Sequence, residues 1–311
     1  MLVTQDITTP RQRPSAVALG FFDGVHMGHR AVIGRAVQAA GEGGLAPRVF
    51  TFLPEGAAPA SKSGLTLLQT EERKETILAR LGVEEVICPP FREFRAMTPE
   101  QFVQDLLGRV LGARELVCGF NYHFGRGGSA GVEQLRALCQ PLGIGVTALP
   151  PVLWRDEVVS STRIRQAIRE GEVEEAARML QGPFTLTAEV VHGKRLARTL
   201  SWPTINQLFP LDFTVPRYGV YWSRVLVGGR EWDGVTNVGI KPTLHETNLT
   251  METYILDYDG DLYGERIPVS LLRFLRPEQR FPSVQELSQR IIKDIGTVRE
   301  LSKTLPRVSE S

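Results

Sequence analysis

Through residue 180 the chain alternates short, unbroken apolar runs with longer stretches whose apolar residues recur every three or four positions. The first kind suits strands buried on both faces, the second helices with one buried side. Strands are therefore expected at 15–20, 48–52, 85–88, 115–118 and 145–149, and helices at 28–40, 70–81, 98–111, 132–139, 163–170 and 173–180. Thr98 reads as an N-cap with Pro99 in the first turn, and Phe102, Val103, Leu106, Leu107 and Val110 fall on one side of the helix that follows. This order predicts a mostly parallel α/β sheet covered by helices on both faces.

After Gln181-Gly182-Pro183 the pattern changes. Segments 184–192, 219–227, 232–238, 251–257 and 267–274 are aromatic or β-branched and bounded by turn formers, as antiparallel strands are. Helical spacing returns at 283–301. The expected division is an α/β domain at 1–182 and a small closed antiparallel β-barrel with a C-terminal helix at 183–311.

A length of 311 residues with 42% hydrophobic side chains supports two compact cores. Lysine and arginine number 36 against 35 aspartates and glutamates, so no global field marks a nucleic-acid binder. Cys88, Cys118 and Cys139 form no CxxC pair and read as buried small hydrophobes in a reducing compartment. No run approaches the roughly 20 apolar residues of a membrane span, and the first residues lack a signal-peptide pattern. The expectation is a cytoplasmic enzyme of small molecules, monomeric or weakly homo-oligomeric, without nucleic-acid or membrane partners.

Between the first strand and the first helix lies Gly20-Phe21-Phe22-Asp23-Gly24-Val25-His26-Met27-Gly28-His29. A helix starting there points unpaired amides at an anion, His26 and His29 can donate to phosphate oxygens, and Gly24 and Gly28 permit close backbone approach. Packing or capping roles for the two histidines stay open. Neither a P-loop nor a compact GxGxxG is present, and Asp23 alone completes no zinc set. Ser160-Ser161-Thr162-Arg163-Ile164-Arg165 offers hydroxyls and arginines at a second helix start, suited either to capping or to the β and γ phosphates of ATP. Arg126, in a glycine-rich loop, reads equally as a phosphate contact or a solvated charge.

In the second half, Gly193 and Arg198 stand in a glycine-basic segment that can cradle a nucleotide or form a charged hairpin. Thr204 and Asn206 supply neighbouring oxygens suited to hydrated magnesium or to a polar turn. Asn237 falls in an expected turn, and Glu252, on an expected strand, can accept a proton from an alcohol or simply face solvent.

Taken in order, GFFDGVHMGH, CGFNYHFGRG and SSTRIR, then ARTLSWPTIN, NVGIKPT and METYILDYDGDLYG, resemble the prokaryotic bifunctional riboflavin kinase/FAD synthetase family over about residues 15–303. The resemblance implies a nucleotidyltransferase-like, Rossmann-like domain that binds ATP and FMN, followed by a riboflavin kinase barrel. It implies that Gly20, Phe22, Asp23, Gly24 and Asn121 lie by the nucleotide and that His26 and His29 face ATP phosphates. Ser160, Ser161, Thr162 and Arg165 would then form the phosphate-binding helix start. In the barrel, Gly193, Arg198, Pro203 and Asn237 would contact ligand, Thr204 and Asn206 would hold Mg2+ and phosphate, and Glu252 would be the base. The implied chemistry is riboflavin plus ATP to FMN, then FMN plus ATP to FAD and pyrophosphate. Two departures stand out: TFLPEG at 51–56 replaces a TFxPHP-like segment, and Tyr254 stands where histidine is common. The first keeps open a kinase with a degenerate adenylyltransferase domain, alongside a flavin sensor without turnover.

Overall fold

Strands β1 (Leu2–Thr4), β2 (Ser15–Leu19), β3 (Ala46–Phe50), β4 (Glu85–Ile87), β5 (Ala113–Gly119) and β6 (Gly145–Leu149) pair in the order β1-β4-β3-β2-β5-β6, every pair parallel. The computed structural model describes residues 1–53, 66–192, 204–210, 212–242 and 247–303. Every residue of β2 and β3 is buried, because helices cover both faces of the sheet. Alternation along β2 sorts the two cores. Val17 and Leu19 join Phe102, Leu106, Leu107 and Leu135 on one face, while Ala18 joins Ile33, Val49 and Leu78 on the other. Helices α1 (Met27–Gly43) and α2 (Glu71–Arg80) build the second core.

The first core is built by a π-helix over Phe102–Val110, entered through α3 (Pro99–Gln101), and by α4 (Val132–Cys139). Thr98 closes a full capping box: its hydroxyl accepts from the Gln101 amide at 3.3 Å while its own amide donates to Gln101 Oε1 at 2.9 Å. The apolar side expected here is buried throughout, but the turns are wider than α, as in the Leu111 amide to Leu106 carbonyl bond of 2.9 Å. Strand β1 escapes sequence patterning because three residues are held mainly by pairing with β4. Beneath the amino ends of the strands, Glu85 pairs with Arg48 and, at 3.0 Å, with Arg11, and Arg48 also donates to the carbonyls of Arg13 and Leu111. This ion network pins the N-terminal arm under the sheet. At the opposite, carboxyl ends, strand order reverses between β2 and β5, where chain segments diverge and parallel sheets hold ligands. A two-stranded hairpin, β7 (Leu153–Trp154) and β8 (Glu157–Val158), follows β6.

Strands β9 (Phe184–Val191), β10 (Thr204–Leu208), β11 (Gly219–Val227), β12 (Arg230–Pro242), β13 (Thr247–Ile255) and β14 (Arg266–Arg276) close an antiparallel barrel in the order β10-β13-β12-β11-β14-β9. Closure leaves no free edge. Its interior is lined by fully buried Val225, Thr236, Val238, Met251, Thr253 and Val269, and the hydroxyls of Ser223, Thr236 and Thr253 satisfy one another at 2.6 and 2.8 Å. Helix α7 (Val284–Ser302), N-capped by Ser283, lays Val298 against Trp222 and Leu256 on the outer side. Buried Asp294 fixes it by accepting from Arg276 at 2.7–3.2 Å and pairing with Arg290 at 3.2 Å.

Thr204 and Asn206, for which a polar turn stayed open, sit in β10, and Asn237, at the junction of the expected strand 232–238 and an expected turn, lies inside β12, register-paired with Val220 and Glu252. Polar residues persist in these strands because alternate positions face outward from a closed barrel. The chain forms two compact units, Met1–Leu65 with Glu71–Ser161, and Thr66–Thr70 with Thr162–Ser311. The second unit thus includes nearly all of α5 (Ser161–Glu170), all of α6 (Val173–Leu180), and a short piece from between β3 and α2. Among the described residues no helix is long and apolar enough to cross a membrane.

Candidate active sites

At the end of β2 the chain makes a tight loop in which Phe22, Gly24 and Val25 take positive φ of 54°, 85° and 36°. The loop brings His26 to the N-cap of α1, where Nδ1 accepts from the His29 amide at 3.4 Å. The two imidazoles stack at 3.6 Å, and Phe22, itself buried, packs edge-on to His29 at 5.3 Å. His26 is therefore both a cap and half of an imidazole pair at a helix start, a place that favours anions. Asp23 is buried at 3% exposure, and its carbonyl accepts from Ser161 Oγ at 3.0 Å. That bond joins Ser161, the first residue of α5 (Ser161–Glu170), to the loop after β2, 138 positions away in sequence. Thr51 Oγ1 donates to the Phe21 carbonyl at 2.9 Å and ties the end of β3 to the same loop.

Asn121 follows β5, which runs beside β2 with Cys118 opposite Leu19. It is exposed, its carbonyl lies 2.9 Å from His123 Nδ1, and its backbone is not left-handed. Ser160 precedes α5, Thr162 is exposed in its first turn, and Arg165 is buried with Nε on the Thr66 carbonyl at 2.6 Å. Arg126 donates from Nε and an Nη to the Ala96 carbonyl, at 3.3 and 3.2 Å, which gives it a loop-bracing role. Sequence reasoning missed an aromatic row in which Phe21 stacks on Phe52 at 4.9 Å, Phe52 meets Phe91 at 5.2 Å, and Phe91 meets Phe94 at 5.2 Å. The signal was available in the density of phenylalanine after β2, β3 and β4.

Burial pushes the thiols of Cys88, Cys118 and Cys139 up to about 11, as expected of inert packing cysteines.

In the barrel unit, register places Asn206 opposite Glu252, and Glu252 opposite Asn237, so three polar side chains share one row across β10, β13 and β12. Thr204 and Tyr254 form the neighbouring pair on the same outer face. Their sequence neighbours Gln207, Met251 and Thr253 point inward and are fully buried. The Asn206 side-chain nitrogen donates to the Thr204 carbonyl at 3.4 Å, and Asn237 Nδ2 donates to Glu278 Oε1 at 3.2 Å. A Cβ on Gly239 would overlap the Glu278 carboxylate. Hydroxyl, amide and carboxylate oxygens are the hard donors that suit magnesium with retained waters and phosphates, so this donor set fits that ion. Gly193, Arg198 and Pro203 lie outside the described residues.

A helix start of the kind that favours anions, at the switch point of a parallel sheet, and a closed barrel that ranks oxygen donors with a carboxylate suit a two-domain protein to phosphate chemistry. Sequence comparison sharpens the class. Residues 8–163 match the FAD synthetase family and residues 180–302 the riboflavin kinase family. The bifunctional riboflavin kinase/FMN adenylyltransferase of Listeria monocytogenes is 36% identical, over 89% of both chains, and that of Escherichia coli is 35% identical over 93% of both. A solved structure from Streptococcus pneumoniae, described as a macrolide-efflux protein, superposes with a TM-score of 0.83 at 30% identity, covering 94% of this chain and 99% of that one. The chain belongs to the bifunctional riboflavin kinase/FMN adenylyltransferase family.

Proposed function

We propose that the barrel unit phosphorylates riboflavin with ATP to give FMN, and that the unit holding the imidazole pair adenylylates FMN with a second ATP to give FAD and pyrophosphate. The observation that carries this division is that His26 and His29 belong to one compact unit and Thr204, Asn206 and Glu252 to the other. The functional boundary is placed near Gly182, so that α5 and α6 serve adenylylation while packing with the barrel unit. A cytoplasmic setting accords with three free, buried cysteines.

In the first reaction Glu252 accepts the proton of the riboflavin terminal hydroxyl, whose oxygen attacks the γ-phosphorus as ADP departs. Asn206 and Asn237 stand in register with Glu252 on the two neighbouring strands, where they flank the incoming alcohol. Thr204 and Asn206 would hold the magnesium ion, which would supply charge neutralisation for the ATP phosphates. In the second reaction a phosphate oxygen of FMN attacks the α-phosphorus of ATP. His26, His29 and the first amides of α1 stabilise charge on that phosphoryl group, and Ser160, Ser161, Thr162 and Arg165 bind the pyrophosphate that leaves. Gly20, Phe22, Asp23 and Gly24 shape the nucleotide loop, and Asn121 contacts the nucleotide from the end of β5. Thr51 and Phe52 remain anchored to the loop after β2, which supports retained adenylylation despite the altered TFLPEG sequence.

The test is timed chromatography of products from riboflavin, ATP and magnesium. FMN should appear first and FAD later, and His29→Ala should stop the sequence at FMN. A parent chain that makes no FAD from supplied FMN would reduce the protein to a kinase, and His29→Ala at full FAD output would remove the imidazole role.

A further inference from the structure

Thr66, between β3 and α2, forms the centre of a hydrogen-bonded junction wholly inside the barrel-containing unit. Its carbonyl accepts from Arg165 Nε at 2.6 Å and from Thr214 Oγ1 at 3.3 Å. Its hydroxyl lies 2.9 Å from the Thr214 hydroxyl and accepts from an Arg169 Nη at 3.4 Å. The next residue is locked as well: the Leu67 amide donates to the Asp212 carbonyl at 2.6 Å, the Thr214 amide donates to the Leu67 carbonyl at 2.8 Å, and Leu67 forms a parallel bridge with Phe213. Thr214 and Phe213 are buried at 0% and 2% exposure, so the anchor is rigid.

We infer that Thr66 and Thr214 form a clasp that positions Arg165 for adenylyl transfer, although Thr214 belongs in sequence to the riboflavin kinase half. A guanidinium is planar, and one Nε bond to a fixed carbonyl sets the direction of the whole fork. Arg165 itself is 3% exposed, so its carbonyl partner cannot be replaced by bulk water if it moves. The clasp holds the same carbonyl oxygen that the arginine uses, and a displacement on the order of 1 Å in a phosphate-orienting group is enough to cost one to two decades in rate. This makes Thr66 and Thr214 positioning residues. The inference rests on the phosphate role proposed for Arg165.

The experiment measures both half-reactions on full-length Thr214→Val, Thr214→Ser, Thr66→Val, Arg165→Lys and the Thr214→Val/Arg165→Lys double variant, with melting temperatures on the same preparations. Thr214→Val is expected to lower kcat for adenylylation of supplied FMN about tenfold and to leave riboflavin phosphorylation within twofold. Thr214→Ser, which keeps the hydroxyl, should restore the rate, and Thr66→Val should repeat the loss from the other side of the clasp. In the Arg165→Lys background the further loss from Thr214→Val should vanish, because the group it positions is gone. Equal loss of both activities, or an undiminished penalty in the double variant, would overturn the clasp. Normal adenylylation by Arg165→Lys would overturn the phosphate role of Arg165 instead, so the two failures are distinguishable. Should Thr214→Val not fold, the same comparison is made with Thr66→Val.

Discussion

Replacing Gly20 with alanine tests how the loop after β2 supports the imidazole pair. A Cβ there would lie 2.8 Å from Cε1 and Cζ of Phe22 and 3.3 Å from its Cδ1. Carbon atoms rest at about 3.5–4.0 Å, so the ring must retreat by roughly 1 Å. The backbone cannot absorb the shift, because the Gly20 amide is bonded to the Phe50 carbonyl at 3.2 Å. Phe22 is 1% exposed and packs on His29, which in turn stacks on His26. Overpacking of this kind costs about 1–3 kcal/mol, or a fall of about 2–12 °C in the melting temperature of a unit this size. Passed on to His29, the same displacement should slow FMN adenylylation by about 10- to 100-fold. Parallel assays of the two half-reactions with differential scanning calorimetry would resolve the effects, riboflavin phosphorylation staying within twofold. Wild-type FAD synthesis together with an unchanged melting transition would refute the reasoning.

Glu252→Gln keeps shape but cannot take a proton, so riboflavin phosphorylation should fall by at least about 100-fold while adenylylation of supplied FMN persists; equal loss of both would point to misfolding. Asp294→Ala leaves Arg276, whose side chain is 9% exposed, without its buried carboxylate, and should cost about 3–5 kcal/mol in a denaturant titration followed by kinase activity. An unchanged midpoint would mean that α7 is held by its apolar side alone. For the cysteines, folded thiols near 11 keep protons that the unfolded chain releases from about 9, so their contribution is complete below pH 9 and is lost as pH rises towards 11. Each thiol contributes at most a few kcal/mol over that window. Melting curves from pH 8 to 11, with thiol labelling at pH 8, should show a decline confined to the alkaline side and no labelling of the native chain.

The parts of the fold that were legible in sequence are those whose burial is one-sided or complete over a long run. Helix α4, strand β6, helix α6 and strand β11 fall at the residues that patterning names, and Thr98 caps as expected, because local chemistry and tertiary burial agree there. Strand β10 was hidden by its polar residues. Thr204, Asn206 and Gln207 look like turn formers, and only closure of the barrel explains Gln207, whose side-chain nitrogen donates inward to the carbonyls of Ala188 and Ile267 at 2.7 Å each. Asn237 falls at the end of the expected strand 232–238, and the strand runs on past it to Pro242. The histidine loop was legible as the start of a helix, but its link to Ser161 was not, since nothing in either segment specifies a bond across 138 positions. The π turns of 102–110 bury the same residues that an α-helix would, so periodicity could not tell the two apart.

The barrel is sewn unevenly. Among the described residues β10 meets β9 only through Asn206↔Val191 and Gln207↔Val190, whereas β11 and β12 are matched without interruption from Gly219↔Val238 to Val227↔Arg230. Native proteins breathe along such short seams first, and amide hydrogens there exchange with solvent well before those of the long ladders. Of the pairings described in the barrel, that of β10 with β9 is the shortest, and it belongs to the strand that carries Thr204 and Asn206. A nucleotide engaged by those two residues would stitch the seam, and the protection it adds to β10 would report occupancy of the kinase site without any measurement of turnover.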